Sequence, residues 1–337
     1  MSSAPLRFGI LGAANIARLF IEGVRPSRSV VVTTVASRDV EKGNRFARET
    51  GIANVHPSYE ALLADPAIDA VYNPLPNNLH AEWSQHAIAA GKHVLCEKPL
   101  ATSAADARAM FDAARRKGVY LAEGYPYRAQ PQTAKMRELL DERAIGRLQY
   151  VHAAFGFPLA DTKNIRFDPA LAGGALMDAG CYPLSLVRTI AGERATRVQA
   201  SARWAESGVD LALVASLEFA SGLLAQISCS FTSARHRRAL IVGDAGTIAT
   251  NYLNDTSAAM PGVLDLTRGT GWDAKRESFE STAGSGFLAE AEAFQRLVSG
   301  GWDHWSGATP EESIDIALML EAVAASARSR AAVDIPA

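Results

Sequence analysis

The sequence predicts two domains of different fold class. Residues 1–125 are expected to form an α/β domain built on a doubly wound parallel sheet, and residues 126–337 an α+β domain with a largely antiparallel open sheet. A chain of 337 residues accommodates two domains of about 150 residues each. In the first third, short apolar runs alternate with helical stretches, which is typical of a parallel sheet. Later strands are longer and alternate apolar with polar residues, which indicates an antiparallel sheet.

The elements of the first domain follow from its apolar runs and from good helix N-caps at Asp39 and Ser103. The predicted strands are Arg7–Leu11, Val30–Ala36, Ala70–Asn73, His93–Cys96 and Val119–Ala122. The predicted helices are Asn15–Gly23, Asp39–Thr50, Ser58–Ala64, His80–Ala90 and Ser103–Lys117.

The second domain is expected to contain an antiparallel hairpin, because Ala220–Gly222 forms a turn between two alternating strands. Its strands are predicted at Gln149–Phe157, Arg197–Ala205, Asp210–Phe219, Leu223–Phe231 and Gly246–Thr250. Its helices are predicted at Gln132–Asp141, Phe287–Val298 and Pro310–Ser329. We allow for the last helix to pack back on the first domain, and residues 252–286 show no pattern that places an element.

Composition and charge disfavour several classes of protein. The net charge of −2 argues against a nucleic-acid-binding protein, and the basic run Arg235–Arg238 is interpreted as a solvated loop. No signal-peptide pattern and no run of about 18 apolar residues occur, so we expect a cytoplasmic protein that does not contact a membrane. Three widely spaced cysteines fit a reducing compartment, and the seven histidines lack metal-ligand spacing, so no metal is predicted.

A glycine turn follows the first strand. The dinucleotide-binding fingerprint needs small residues at its first, third and sixth positions, which here are Gly12, Ala14 and Ala17. The turn opens the first helix, whose free N–H groups suit an anion. An ordinary strand–turn–helix is the alternative. The candidate cofactor-binding residues are Gly12, Ala13, Ala14, Asn15 and Ile16.

The second strand ends without the acidic residue that binds the adenosine ribose of NAD. Ser37 stands in its place, Arg38 follows, and Lys42 lies one helical turn further on. A hydroxyl with cationic side chains suits the 2′-phosphate of NADP, because Arg forms charge-assisted bonds to phosphate. We therefore expect NADP(H) to be preferred, with NAD(H) possible; a plain surface role for Arg38 is the alternative.

Two further motifs leave the ends of parallel strands, where ligands of open α/β sheets bind. Glu97-Lys98-Pro99 follows one strand, and Pro76-Asn77-Asn78-Leu79-His80 follows its neighbour. A lysine at a strand end beside a cofactor is a candidate for chemistry, whereas by frequency alone Lys98 would be a surface lysine.

Nearly the whole chain resembles the glucose–fructose oxidoreductase, inositol dehydrogenase and rhizopine catabolism (Gfo/Idh/MocA) family. The resemblance rests on Gly12–Ala17, Pro76–His80, Ala90–Pro99 and Gly173–Tyr182. It implies that Lys98 points at the nicotinamide. It also implies that the following residues line the cofactor: Leu75, Asn77, His80 and Glu97.

Two departures from the family pattern concern the site. Tyr182 stands where many relatives have His, as in the branch that contains dimeric dihydrodiol dehydrogenases, NADP-dependent D-xylose dehydrogenases and sugar ketoreductases. Gln130 stands where relatives often carry His, so no catalytic role is assigned to that stretch. Within this pattern we expect Lys98 and Tyr182 to be catalytic: the phenol, whose ordinary pKa is about 10, needs a nearby cation to act as a base. A packed core tyrosine is the alternative for Tyr182.

Asp178, four residues before Tyr182, is a candidate for binding a substrate hydroxyl, and Arg166 is a candidate substrate or phosphate contact. A helix-capping carboxylate is the alternative for Asp178. The predicted function is an NADP(H)-dependent oxidoreductase acting on a sugar or polyol, for example an aldopyranose 1-dehydrogenase. The alternatives are a trans-dihydrodiol dehydrogenase, a ketosugar reductase, and a non-catalytic dinucleotide-sensing protein. Because an open sheet face needs cover, and because the resemblance implies a second subunit there, we expect a homodimer or a dimer of dimers.

Overall fold

A computed structural model describes residues 4–336. The strands are β1 Leu6–Leu11, β2 Val30–Ala36, β3 Asn54–His56, β4 Ala70–Asn73, β5 His93–Glu97, β6 Leu121–Gly124, β7 Leu148–Gly156, β8 Ala195–Trp204, β9 Asp210–Phe219, β10 Leu224–Ser230, β11 His236–Gly243, β12 Gly246–Thr250, β13 Gly262–Arg268, β14 Lys275–Ser281 and β15 Val333–Asp334. The helices are α1 Asn15–Val24, α2 Val40–Thr50, α3 Tyr59–Ala64, α4 His80–Ala89, α5 Ala104–Lys117, α6 Pro131–Asp141, α7 Cys181–Ala191, α8 Gly286–Gly300 and α9 Pro310–Ser329.

The chain divides into two compact units. The first runs to Ala129 and includes Ser285–Pro310, so α8 belongs to it. The second comprises Gln130–Gly284 and the chain from Glu311 onwards, which holds nearly all of α9. The boundary between the units thus lies four residues beyond the end of the predicted first domain at residue 125.

The first unit contains a six-stranded parallel sheet of order β3-β2-β1-β4-β5-β6. Strand order reverses between β1 and β4, which creates the crevice where open α/β sheets bind ligands. The core is aromatic: Phe8 of β1 contacts Phe20 of α1 and Phe294 of α8, and Phe20 stacks on Tyr72 of β4 with ring centroids 3.9 Å apart. The predicted doubly wound parallel sheet is confirmed.

The second unit contains a nine-stranded sheet of order β14-β13-β12-β11-β7-β10-β9-β8-β15. All its pairs are antiparallel except β7 with β10, so the sheet is mixed but largely antiparallel, as predicted. The predicted hairpin between β9 and β10 is confirmed. Helices α6 and α7 pack against this sheet.

Arg235–Arg238 was the prediction that failed most clearly. His236, Arg237 and Arg238 begin strand β11 and pair along β7, so the stretch is not a solvated loop. The interpretation as a loop relied on charge, whereas pairing depends on the backbone, and long basic side chains are compatible with a strand. Alternate residues of the stretch point to opposite faces of the sheet, which gives neighbouring arginines different surroundings.

Other differences concern short or polar strands. β3 was not predicted, and β13 with β14 occupies part of the stretch 252–286 that showed no clear pattern. β14 is mostly exposed, so it lacks the apolar alternation that identifies a strand. β6 begins at Leu121 and extends to Gly124, later than predicted, because its register pairs Val94 with Leu121.

Within residues 4–336, one helical stretch, Pro169–Ala191, is long and apolar enough to cross a membrane. Of its most apolar window, 67% is buried inside the protein, as in the core helices of soluble proteins, so it is a weak indication of a membrane segment. Over the same residues, no group of three or more His, Cys, Asp or Glu side chains is arranged to hold a metal ion.

Candidate active site

The glycine turn after β1 depends on the absence of a side chain at position 12. Gly12 has φ +88°, a left-handed conformation that favours glycine, and its N–H donates to the carbonyl of Ala36 at 2.8 Å. A Cβ on Gly12 would lie 3.1 Å from Leu75 Cδ2. The turn therefore leaves, at the start of α1, a space that a side chain on residue 12 would fill.

The N-terminus of α1 is suited to an anion. Its N-cap, Ala14, has no side-chain acceptor and does not cap the first turn. N–H groups of that turn, together with the helix dipole, favour a phosphate group. Ala13, Ala14 and Ile16 are half-buried and Asn15 is exposed, so the predicted residues lie along one accessible turn.

The end of β2 carries cationic rather than acidic side chains. Ser37 is buried, whereas Arg38 and Lys42 are exposed. The Arg38 guanidinium lies 5.9 Å from the centroid of the Tyr59 ring, and burial raises the pKa of Tyr59. Asp39 is the N-cap of α2 and accepts a hydrogen bond from the N–H of Lys42 at 3.0 Å. The predicted capping role of Asp39 is confirmed, which leaves Arg38 as the charged residue directly after the strand.

The Glu-Lys-Pro loop is fixed by buried hydrogen bonds. Tyr72 donates its hydroxyl proton to Glu97 Oε1 at 2.5 Å, and Leu100 donates its N–H to Glu123 Oε1 at 2.9 Å. Glu97 is buried while Lys98 is half-buried. These hydrogen bonds thus hold the backbone on both sides of Lys98 in place. Tyr72 and Glu123, which do this, carried no sequence motif and were not predicted.

His80 joins two loops at the carboxyl ends of β4 and β5. Its Nδ1 lies 2.8 Å from the carbonyl oxygen of Pro99, and its Nε2 lies 2.7 Å from that of Leu75. Burial lowers the pKa of His80 to about 4, hydrogen bonds to the two carbonyls act in the opposite direction, and the nearby Lys98 lowers it further. The ring is therefore neutral at pH 7 and donates from one nitrogen, which depends on the tautomer. Its contacts are with the loops that carry the predicted cofactor residues.

Asn73 organises the first of these loops. It is fully buried; its Oδ1 accepts from the N–H of Leu75, and its Nδ2 donates to the carbonyl of His80 and to Ser84 Oγ. Asn77 follows in a short helical turn and is half-buried. Sequence reasoning missed Asn73, although a buried Asn at a strand end before a proline is a signal for such a turn.

In the second unit, Tyr182 is held by polar and aromatic contacts. It is the second residue of α7 and is 6% exposed. Its hydroxyl oxygen accepts a hydrogen bond from Asn254 Nδ2 at 3.0 Å. Its ring meets Phe155 edge to face, with centroids 5.4 Å apart and planes at 89°. The phenol is thus buried, its ring is fixed, and its hydroxyl oxygen already accepts one hydrogen bond.

Arg237 extends over the same phenol. Its guanidinium carbon lies 4.3 Å from the centroid of Tyr182, 4.6 Å from Tyr252 and 4.8 Å from Phe155. Neither Arg237 nor Asn254 was predicted as a site residue. Both lie far from Tyr182 in sequence: the register of β11 on β7 places Arg237, and Gln130 holds the loop that carries Asn254.

The two predicted substrate residues bind each other. Arg166 Nε donates to Asp178 Oδ2 at 2.6 Å. The backbone from Leu176 to Gly180 forms a single π-helical turn before α7, so the helical spacing expected between Asp178 and Tyr182 is altered. Asp178 remains half-buried, and the pair presents a cation and an anion side by side.

Gln130 forms hydrogen bonds with backbone carbonyls. It is buried, and its Nε2 donates to the carbonyls of Asn254 at 2.6 Å and Gly284 at 3.0 Å. It therefore supports the segment that carries Asn254, the partner of Tyr182.

Two family models match the chain. Residues 6–125 match the oxidoreductase family with an NAD-binding Rossmann fold, and residues 133–249 match the GFO/IDH/MocA C-terminal domain. The chain belongs to the Gfo/Idh/MocA oxidoreductase family. It is an oxidoreductase, and the predicted family, fold class and enzyme class are confirmed.

Individual members of the Gfo/Idh/MocA family are similar over most of the chain. D-xylose 1-dehydrogenase (NADP(+)) 2 of Haloferax volcanii is 37% identical over 98% of this chain and 100% of its own length. A trans-1,2-dihydrobenzene-1,2-diol dehydrogenase of Danio rerio is 36% identical over 72% of this chain and 73% of its own. A 3-ketoreductase of Actinomadura kijaniata, solved with NADP and TDP-benzene, has a TM-score of 0.86 and 32% identity over 96% and 98% of the two chains.

The buried His80 predicts a measurable acid sensitivity. Its folded pKa of about 4 lies below the ordinary value of 6.5, so between these pH values the unfolded chain takes up a proton that the folded chain refuses. The free energy of unfolding of the wild type should therefore fall by up to about 3 kcal/mol as the pH drops through this window.

Urea denaturation at a series of pH values measures this. His80→Gln lacks the titrating ring, so its stability should depend less on pH over the window, while all other titrating groups remain. If the free energies of unfolding of the wild type and His80→Gln fell equally with pH, the low pKa assigned to His80 would be wrong.

Proposed function

We propose that this protein is an NADP(H)-dependent oxidoreductase that interconverts a carbinol and a carbonyl group of a sugar or polyol, for example as an aldopyranose 1-dehydrogenase. The observation that carries the proposal is the environment of Tyr182: a buried phenol whose oxygen accepts an amide N–H and whose ring lies beneath a guanidinium. These contacts favour the deprotonated phenol, which proton transfer requires. The NADP-dependent xylose dehydrogenase similar over its full length supports this substrate class.

The proposed reaction uses two catalytic residues, Tyr182 and Lys98. A bound nicotinamide would supply the hydride chemistry of the reaction, with the carbinol carbon losing a hydride in oxidation and the carbonyl carbon gaining one in reduction. The tyrosinate form of Tyr182 takes the hydroxyl proton as the carbonyl forms, and the phenol returns it in reduction. Lys98 stabilises the negative charge, and Asp178 with Arg166 binds substrate hydroxyl groups.

The residues present fit an NADP molecule. Gly12, Ala13, Ala14, Asn15 and Ile16 would hold the pyrophosphate at the turn where a Cβ would intrude. Ser37, Arg38 and Lys42 would bind the 2′-phosphate. The nicotinamide ring and its ribose would be lined by Leu75, Asn77, His80, Glu97 and Lys98. In this proposal His80 acts mainly through the loops it joins, because both of its ring nitrogens face carbonyls. NADP(H) is preferred and NAD(H) remains possible.

Residues 1–125 would bind the dinucleotide, and residues 126–337 would bind substrate and a second subunit. The proposal places the enzyme in the cytoplasm, with no nucleic-acid or membrane partner.

The alternative activities are a trans-dihydrodiol dehydrogenase and a ketosugar reductase, which are the named activities of two similar proteins. A non-catalytic dinucleotide sensor is disfavoured because it would need neither Lys98 nor Tyr182. The test is a panel of aldoses, polyols, ketosugars and aromatic diols, followed by the absorbance of the reduced cofactor. Turnover of aldoses or polyols supports the proposal, turnover confined to diols or ketosugars favours the alternative, and binding without turnover favours a sensor.

A homodimer, or a dimer of such dimers, would cover the open face of the second sheet. That face contains a groove of about 950 Å³, and Val214 and Leu224 are 58% and 55% exposed on it. Apolar side chains of this size on a large sheet face indicate a protein interface.

Light scattering at micromolar concentration should therefore show at least a dimer. Val214→Glu places a charge on the open face and should shift the species towards monomer. Leu19→Glu, which charges an exposed apolar position on α1 instead, should leave the mass unchanged. A monomeric wild type would contradict the proposed dimer.

Arg38→Ala should weaken NADP(H) binding by roughly 10- to 150-fold, because one charge-assisted phosphate contact is lost. NAD(H) binding should change little, since NAD lacks that phosphate. Isothermal titration with both cofactors measures the effect. Arg48→Ala, which removes an exposed arginine from the last turn of α2, serves as control. Equal losses for both cofactors would place Arg38 at a shared part of the dinucleotide.

Tyr182→Phe should lower kcat by about 10²–10⁴-fold with little change in cofactor affinity, because it removes only the hydroxyl that transfers the proton. Lys98→Met should also slow turnover and should move the rise of oxidation rate to higher pH, because the phenol loses a stabilising cation. Steady-state kinetics across pH on the best substrate of the panel measure both. Near-normal turnover of Tyr182→Phe would make Tyr182 structural and Lys98 the candidate base.

A further inference from the structure

Arg237 owes its position to the pairing of two strands. In the register of β11 on β7, Arg237 lies directly opposite Phe155, and opposite residues of an antiparallel pair project to the same face of the sheet. The neighbouring Arg238 points to the other face, where it lines the open groove. The strand register therefore directs Arg237, and not Arg238, to the face of the sheet on which α7 packs.

Three aromatic rings surround the guanidinium, each within 5 Å of its central carbon: those of Tyr182, Tyr252 and Phe155. Tyr252 is itself fixed, because it is buried and its hydroxyl donates to the carbonyl of Ala154 at 2.7 Å. Arg237 Nε and Nη2 are buried as well. The cation is thus held at a defined distance from the phenol.

A cation over an aromatic face is attracted by the ring quadrupole, and it is attracted more strongly when the ring carries a full negative charge. Burial strengthens this difference because water screens less inside a protein. A purely structural contact in such a pocket would be served by an apolar side chain without the cost of desolvating a guanidinium. We propose that Arg237 is a positioning residue that fixes the Tyr182 ring and stabilises its tyrosinate form.

The other titratable and charged groups near Tyr182 come from each element packed against it. They are Asp178 with its partner Arg166 before α7, Asp210 on β9, Cys229 on β10, Tyr252 after β12, and Arg235, whose guanidinium lies over Phe157. His236 and Arg238 point to the other face of the sheet. The carboxylate of Asp178 opposes a tyrosinate, but Arg166 lies 2.6 Å from it and offsets its charge. Burial raises the pKa of the Cys229 thiol, so it stays neutral. Arg237, whose guanidinium carbon lies 4.3 Å from the ring centroid of Tyr182, is the cation to which the proposal assigns the stabilisation of tyrosinate.

The inference rests on the proposed function, but its test does not depend on turnover. Ultraviolet titration of tyrosinate absorbance in the protein without substrate, taken as the difference between a background and the same background with Tyr182→Phe, reports Tyr182 alone. In Arg237→Met the midpoint of this difference titration should move upward by about one pH unit or more relative to wild type. Arg237→Lys keeps a positive charge and should retain a midpoint below that of Arg237→Met.

Arg328→Met is the matched control, because Arg328 lies 5.1 Å from the ring of Trp204 in a comparable contact on the surface. Its midpoint should equal that of the wild type. If Arg237→Met does not fold, as judged by circular dichroism, Arg237→Gln replaces it with a neutral polar side chain. An unchanged midpoint in the neutral variant would overturn the proposal, and so would an equal shift in Arg237→Lys and the neutral variant.

Enzyme activity distinguishes the role proposed for Arg237 from the catalytic role proposed for Tyr182. If the titration shifts and Tyr182→Phe also abolishes turnover, both stand, and the pH profile of oxidation by Arg237→Met should move in parallel with the titration. If the titration shifts while Tyr182→Phe remains active, Arg237 still tunes Tyr182 and the catalytic role proposed for the phenol fails.

Discussion

Close contact of one buried imidazole with two loop carbonyls is the constraint on which the cofactor side of the site depends. His80 begins α4, yet its ring contacts the carbonyls of Leu75 and Pro99, which belong to loops after two adjacent strands. Parallel strands bring such loops to one edge of a sheet but do not fix their spacing. The imidazole supplies that spacing, and Tyr72 and Glu123 fix the second loop further. The position of Lys98 is a product of these contacts.

The substrate side is organised by a different means. There the register of β11 on β7 sets the surroundings of Tyr182, since it places Arg237 opposite Phe155. The hydroxyl is oriented by Asn254, whose segment is in turn held by Gln130. Loop hydrogen bonds thus govern one group of candidate residues, and strand pairing governs the other.

Much of the fold could be predicted from sequence because its signals are local. Apolar runs and helix caps gave most strands and helices, and the glycine turn with the Glu-Lys-Pro motif identified the ligand-binding edge of the first sheet. The contacts of Tyr182 could not be predicted in this way, because Arg237 reaches it only through strand pairing and Asn254 only through a loop held by tertiary hydrogen bonds. The basic run that begins β11 was misinterpreted for a related reason: charge describes side chains, whereas backbone hydrogen bonds determine the neighbours of a strand.

The alternation of faces along β11 has a consequence for how this part of the protein can vary. Because the side-chain period of a strand is two, a slip of one residue between β11 and β7 would exchange the surroundings of Arg237 and Arg238. Substitutions at exposed positions of the turn 231–235 would preserve the register, whereas the gain or loss of a single residue there would turn the guanidinium away from Tyr182. The length of this short turn is therefore expected to be far less variable than its composition.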